Sequence, residues 1–297
     1  MDGQKIEKNM IEKKEGINMG SLILEGGTFR PIFSAGVMDA MLDQEVMFPY
    51  CIGVSAGITN GFSYISKQKN RNLDILLKYR HDKRYIGKRN LLKCKSLFGL
   101  DFVFDTIPNE IYPFDWDTFD EYEGKLLVGA TNAKTGKVEY FDGKKLDKAC
   151  TMLRATCAIP LVFPEIKIEG TPYYDGGLCD PIPIKKAIED GNQKHLIVLT
   201  RPKEYRKKLG KSNQVAAKVL RKKYPKLESI LLNRHTAYNE TVQFCEQLEK
   251  EGKALILRPT KPVDSMEKDI TIIKETYDMG YQMAMKHMEQ IREICNQ

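Results

Sequence analysis

The segment Tyr50-Cys51-Ile52-Gly53-Val54-Ser55-Ala56-Gly57 constrains the fold of this chain more than any other stretch. A short apolar run of strand character passes directly into helical periodicity that continues from Ser55 to about Lys67. A turn this tight strains its apex residue and exposes the apex side chain at the end of the strand. The residues two before and two after the apex must be small, because a neighbouring strand and helix lie against them. Gly53 and Gly57 meet that demand. Ser55 occupies the apex, with a helix N-terminus behind it that favours developing negative charge. The form Gly-x-Ser-x-Gly is that of a nucleophile elbow. The blander reading is a serine that caps a helix between small packing neighbours.

The surrounding pattern is of the same kind. Ser21–Leu24 is an apolar run that ends at Glu25-Gly26-Gly27, and residues 32–44 carry apolar side chains at helical spacing. Strand, loop, helix, strand, helix predicts parallel strands covered by helices. Strands are expected at 125–133 and 137–142 around a Thr135-Gly136 turn, and a helix at 145–156. A hairpin over 166–174 runs into Asp175-Gly176-Gly177, and a short helix near 184–190 stops at Gly191. Another buried strand spans 195–200. Beyond it, 203–250 is basic and mostly helical, 254–257 is a strand, and 267–294 reads as one long helix. Trp116, amid Asp115, Asp117 and Asp120, is expected to pack at the core edge. The expected organisation is a solvated tail over 1–19, an α/β domain over 20–200, and a mainly helical region over 201–297 packed on it.

Composition removes several classes. Seven cysteines are scattered without a C-x-x-C pair, and the four histidines lie far apart, so a disulfide framework or structural zinc site is not expected. No run approaches the roughly 18 apolar residues of a membrane span. The first twenty residues are polar without a signal-peptide core, which points to a cytoplasmic protein. The net charge of +7 is concentrated in 67–95 and 203–226.

Two further loops carry chemistry. Glu25-Gly26-Gly27-Thr28-Phe29-Arg30 follows the first strand, and backbone N–H groups at such a turn can hold an anion. Asp175 precedes Gly176 and Gly177, and a carboxylate beside Ser55 could accept its proton. Taken alone, each loop reads as an ordinary turn. All three features fall at strand ends, where α/β folds keep their sites. The elbow comes too early for an ordinary α/β-hydrolase. A Ser–Asp–His order would draw on His195, His235 or His287, none of which has a loop context. Cys157 and Cys179 read as small fillers.

The Gly-rich loop, the elbow about 25 residues later, Ala155-Thr156-Cys157-Ala158-Ile159-Pro160 and Asp175-Gly176-Gly177-Leu178-Cys179-Asp180-Pro181-Ile182-Pro183 together resemble the patatin-like phospholipases over about residues 20–200. The whole chain looks like a bacterial subgroup with an extra C-terminal helical region. The resemblance implies a three-layer α/β fold with a mainly parallel sheet. It also implies a Ser–Asp dyad in which Ser55 attacks an acyl ester and Asp175 is the base. Gly26, Gly27, Thr28, Arg30 and Ala56 would form the oxyanion and substrate-binding set, supported by Gly53, Gly57, Gly176 and Gly177. Substrates would be fatty-acyl esters or phospholipids, with no metal or other cofactor.

The family loop usually reads Gly-Gly-Gly-x-Arg/Lys-Gly, whereas this chain has Thr28 and Pro31 at the third and last positions. Thr28 resists positive φ and Pro31 has no N–H, so reduced but present activity is expected. The alternative is a weakly active or inactive patatin-fold protein that binds a lipid or partner. The Lys- and Arg-rich stretch 206–226, interleaved with Leu209, Val215 and Val219, has two readings. One is peripheral contact with an anionic membrane at its inner face; the other is a solvated face. No nucleic-acid motif is present, and no nucleic-acid partner is expected.

Overall fold

The computed structural model describes residues 20–296; the tail expected over 1–19 lies outside them. The chain opens with β1 (Gly20–Leu24), α1 (Ile32–Asp43), β2 (Tyr50–Val54) and α2 (Ser55–Ile65). Helices α3 (Arg71–Tyr79) and α4 (Lys88–Cys94), a π-helical segment (Phe102–Ile111) and α5 (Trp116–Asp120) follow. Next come β3 (Lys125–Asn132), β4 (Val138–Asp142), α6 (Thr151–Thr156), β5 (Ile166–Ile168), β6 (Thr171–Asp175), α7 (Ile184–Glu189) and β7 (Lys194–Val198). The chain closes with α8 (Lys211–Leu220), α9 (Pro225–Lys250), β8 (Ala254–Leu257), α10 (Ile270–Lys286) and α11 (Met288–Cys295).

The eight strands form one sheet. β8, β7, β1, β2 and β3 lie side by side in parallel, while β4 and the β5–β6 hairpin are antiparallel. The sheet thus includes a strand from beyond residue 200. β1 is buried along its whole length between β2 and β7, which is why it reads as an unbroken apolar run. Successive side chains alternate faces. Leu22 and Leu24 enter the larger core with Phe33, Met38 and Tyr277, on the α1 and α10 side. Ile23 and Ile52 face Ile184 and Ala187 of α7 and Tyr238, Val242 and Leu248 of α9. The result is a three-layer α/β fold with a mainly parallel sheet and a helical C-terminal region. The α1–α10 crossing is close: Gly36 faces the Tyr277 carbonyl and Gly280 the Phe33 carbonyl.

The registers on β3 decide where the site lies. Gly129 pairs with both Val54 of β2 and Tyr140 of β4, while Ala130 pairs with both Asp175 of β6 and Glu139 of β4. A strand residue has only two edges, so β2 and β6 share one edge of β3 and meet end to end there. The last residues of these two strands, Val54 and Asp175, are therefore neighbours although 120 positions separate Asp175 from Ser55.

Several expected boundaries shift for local reasons. The helix expected from 145 begins only at Thr151: Cys150 takes φ 53° and Asp147 accepts the Thr151 N–H at 2.7 Å. The long C-terminal helix starts where Asp269 caps Thr271 at 2.8 Å and breaks at His287 into α10 and α11. Pro225 stands at the first position of α9, where its missing N–H costs nothing.

Candidate active site

Ser55 has φ 55°, a left-handed conformation that costs a non-glycine residue roughly 1–3 kcal/mol. The elbow is held in that state from two sides. Its N–H donates to Thr156 Oγ1 at 2.8 Å, and that hydroxyl donates to the Gly129 carbonyl at 2.5 Å. On the other side the chain leaving β1 lies directly over the turn. A Cβ on Gly26 would fall 2.7 Å from Ser55 Cβ, one on Gly53 would fall 2.7 Å from the Leu24 carbonyl oxygen, and one on Gly57 would collide with the Glu25 carbonyl. These small residues are required by close approach of backbone.

Ser55 Oγ donates to Asp175 Oδ2 at 2.6 Å, and both residues are buried. The other carboxylate oxygen, Oδ1, accepts the Gly177 N–H at 2.7 Å, and the Asp175 carbonyl accepts from Thr131 Oγ1 at 2.8 Å. Gly176 lies against the Gly129 carbonyl, where a side chain has no room. Burial pushes the Asp175 carboxyl above its ordinary value; the Ser55 hydrogen bond, Arg234, the Gly177 N–H and Lys207 oppose that rise. The carboxylate is thereby more basic than one in water.

The Gly-rich loop turns beside this pair. Gly27 has φ 153° and Thr28 φ 57°, so the β-branched residue adopts the conformation its side chain resists. Among the described residues the N–H groups of Gly26, Gly27 and Thr28 have no hydrogen-bond acceptor. The loop is pinned instead through Glu25 and Arg30. Glu25 accepts the Thr200 N–H at 2.6 Å, Thr200 Oγ1 donates to the Gly26 carbonyl at 3.1 Å, and Arg30 Nε donates to Thr200 Oγ1 at 3.3 Å. Pro31 heads α1, and its carbonyl accepts the Ala35 N–H at 2.9 Å. No donor is needed at that position.

Two cavities open from Ser55. One is apolar, with walls that include Phe29, Phe62, Leu76, Phe104, Ile107 and Trp116, and Ala56 and Thr28 sit at its Ser55 end. Trp116 packs edge-on against Phe114 and Phe119, with ring centroids at 5.0 and 6.2 Å. Cys157 is part of this wall, 3.4 Å from Thr59 Oγ1, and burial pushes its thiol up to about 12. Cys179 turns away to the Gly136 carbonyl at 3.4 Å. The other cavity is a polar cleft lined by Glu25, Arg30, Asp175, Arg201, Lys207 and Arg234.

No histidine lines either cavity among the described residues. His195 is buried in the sheet against Ser21 Oγ at 2.8 Å, and burial lowers its pKa to about 4. His287 contacts Gln290 at 2.9 Å. Sequence reasoning missed Thr156, Thr200, Arg201, Lys207 and Arg234 as neighbours of the site. Thr156 stands in the segment Ala155–Pro160, whose pattern is set by its small residues. Lys207 belongs to the basic run 206–226 and Arg201 and Arg234 flank it, with no local sign of which charges turn inward.

Fold and site together define a three-layer α/β protein with a serine at a strand–helix elbow and a carboxylate beside it. The chain belongs to the patatin-like phospholipase family, whose profile matches residues 22–188, and that membership supports lipid hydrolase activity in general. Residues 224–296 match a domain of unknown function, DUF6363. The uncharacterized protein YjjU of Escherichia coli K12 is 24% identical over 280 residues, covering 88% of this chain and 74% of its own. The probable lipid hydrolase 463L of Invertebrate iridescent virus 6 is 26% identical over 194 residues, covering 59% of this chain and 65% of its own. Among solved structures, VipD of Legionella pneumophila aligns over 92% of this chain and 67% of its own, with 15% identity and a TM-score of 0.47.

Proposed function

We propose that the protein hydrolyses fatty-acyl esters of lipids through a Ser55–Asp175 dyad and an acyl-enzyme. The observation that carries this reading is the 2.6 Å Ser55–Asp175 hydrogen bond at the junction of an apolar cavity and a polar cleft. The acyl chain lies in the apolar cavity, so the ester carbonyl reaches Ser55. Asp175 takes the Oγ proton as Oγ bonds to the carbonyl carbon. The oxyanion is met by N–H groups of the Gly26–Thr28 loop and of Ala56 at the start of α2, each donor stabilising the transition state by roughly 2.7–4 kcal/mol. The C–O bond to the alcohol breaks and Asp175 returns the proton to the departing oxygen. Water then attacks the acyl-enzyme, giving its proton to Asp175. The fatty acid leaves as Ser55 regains its hydrogen.

A serine-directed fluorophosphonate tests this reading. Labelling that disappears in Ser55→Ala and ester turnover that disappears in Asp175→Asn support it. Undiminished turnover in Ser55→Ala overturns it. The competing reading, an inactive lipid-binding protein, draws on the strained Thr28; the free loop donors and the helix-starting place of Pro31 favour the hydrolase.

The lipid reaches the site at a surface. Val215 and Val219 are 52% and 57% exposed on α8, among Lys211, Lys218, Arg221 and Lys222. Gly210, Ser212 and Asn213, at the start of α8, border the polar cleft. An apolar stripe flanked by cations suits an anionic bilayer. Vesicles containing phosphatidylglycerol should sediment the protein and pure phosphatidylcholine vesicles should not, with the difference reduced in Val215→Asp/Val219→Asp. Equal, negligible sedimentation with both rejects this contact. Among the described residues no helix is long and apolar enough to cross a membrane.

A further inference from the structure

The polar cleft beside Ser55 holds more cations than its carboxylates, Glu25 and Asp175, can neutralise. Arg30, Arg201, Lys207 and Arg234 line it, and none of them forms an ion pair among the described residues. Each is held in place by contacts that leave its charge intact. Lys207 Nζ lies 4.2 Å from the centre of the Tyr238 ring, and the Arg201 guanidinium lies 4.4 Å from that of Tyr205. The Lys207 backbone is clamped to Asn239 of α9 by two hydrogen bonds, of 2.8 and 3.0 Å. Arg234 donates from Nε to the Gly177 carbonyl at 2.7 Å, and Arg30 from Nε to Thr200. The carboxylates in the cleft are already engaged: Glu25 with the Thr200 N–H, Asp175 with Ser55 and Gly177.

Like charges gathered in a partly desolvated cleft repel one another, and the arrangement persists only with a compensating anion or at a cost to the fold. The same crowding disfavours the charged forms. Burial, then the neighbouring guanidinium of Arg234, depresses Lys207 to about 7, and burial with Arg201 depresses Arg30. With Lys207 charged, four inward cations against two carboxylates leave two positive charges over, while Lys208 stands exposed at the rim. A phosphomonoester carries about −1.5 to −2 near neutral pH and offers three strong acceptor oxygens. A zwitterionic phosphodiester supplies half that charge and adds a cation of its own.

We infer that this cleft is a phosphomonoester site. The substrate class is then acyl esters whose alcohol portion ends in a phosphate monoester, such as an acylated glycerol phosphate. The inference rests on the hydrolase reading for its catalytic consequence, but not for the binding itself. Three of its four cations lie beyond residue 200, outside the stretch matched by the family profile. They come from the loop after β7 and the middle of α9, which are brought to the dyad because α9 crosses that face of the sheet.

Binding and turnover test it separately. Titration calorimetry on Ser55→Ala, which holds ligand without cleaving it, should show 1-oleoyl glycerol 3-phosphate binding ~10-fold or more tightly than 1-oleoyl glycerophosphocholine. In the same background Arg201→Gln and Lys207→Met should each erase most of that preference, and Arg201→Lys should retain much of it. sn-Glycerol 3-phosphate and inorganic phosphate are the arms that separate a lipid headgroup from free phosphate. Weak competition by both, far below the acylated ligand, supports a headgroup site; phosphate alone binding as tightly as the acylated ligand shows an ion site and overturns the lipid assignment. In the active enzyme the kcat/KM ratio of the two lipids should fall with each charge-removing variant. Equal affinity for the two lipids, or a preference that survives both variants, overturns the inference. Absence of ester turnover with the binding preference intact would instead count against the hydrolase reading alone.

Discussion

Ser55 separates two cavities whose walls come from different parts of the chain and work by different physics. The apolar cavity is built by α2, α3, the π-helical segment and the aromatic residues around 98–116. Carbon that enters it leaves water, a non-directional gain of about 0.8 kcal/mol per methylene. The cleft is built by the Gly-rich loop, the segment after β7 and α9. It acts by charge, which is directional, sensitive to pH and screened by salt. Ser55 lines both, and Asp175 lines the cleft. A lipid ester has the same two-part character, with its reactive carbonyl where the parts join.

The comparison can be broken most severely at the boundary. Ser55→Ala and Asp175→Asn should each lower turnover by roughly 10³-fold or more on every ester, whatever its headgroup or chain. Loss with one substrate class alone would mean that the two cavities do not share one catalytic centre. A smaller effect should divide the cavities. Val103→Trp fills part of the apolar side, where Val103 is half-buried in the wall. Excluding three methylenes costs roughly 2.4 kcal/mol, so the ratio of long-chain to short-chain kcat/KM should drop ~50-fold, with headgroup preference unchanged.

The pH profile sharpens the same contrast. The proposed base, Asp175, accepts a proton only when ionised, and burial sets its pKa above the ordinary carboxylate value. Turnover of all substrates should therefore be full above that raised pKa and fall with each unit below it. Lys207 is charged below about 7 and neutral above. It faces Arg30, Arg201 and Arg234, which favour the neutral form, and Glu25, which opposes them. Between pH 7 and 9, where a phosphomonoester keeps its charge, phosphate-bearing ligands should weaken by up to ~10-fold while neutral esters hold steady. Parallel high-pH behaviour of both ligands would remove Lys207 from the cleft's chemistry. The smallest expected effect is at the loop they share. Thr28→Gly relieves a left-handed β-branched residue and should raise Tm by about 2 °C in a thermal melt, corresponding to about 1 kcal/mol. A fall in Tm would show that the Thr28 side chain contributes more packing than its backbone strain costs.

Legibility in the sequence follows the same division. The elbow, the Gly-rich loop and Asp175-Gly176-Gly177 are local: each is a strand end with a turn whose steric demands are written in neighbouring residues. Stretch 67–95 stands out by its charge, yet Leu73 and Leu76 at helical spacing within it are buried, and Leu76 lines the cavity. Residues 102–111 follow neither a strand nor an α-helical repeat, because they form a π-helical segment with Pro108 inside it. The basic run 206–226 looked uniform. It divides into Lys207, turned inward over Tyr238, and the exposed cations of α8, a distinction set by packing against α9.

The sequence by itself determined an α/β fold with a parallel sheet and the residues at the three turns, because backbone sterics and hydrophobic period act over a few neighbours. Only the tertiary structure decided that Val54 and Asp175 end on one edge of β3, which places Ser55 against its carboxylate. It alone supplied Thr156 to hold the elbow and carried Arg201, Lys207 and Arg234 to the site. The reason is physical. Strand register and helix placement depend on how the whole core packs, and a cation's meaning depends on which way that packing turns it.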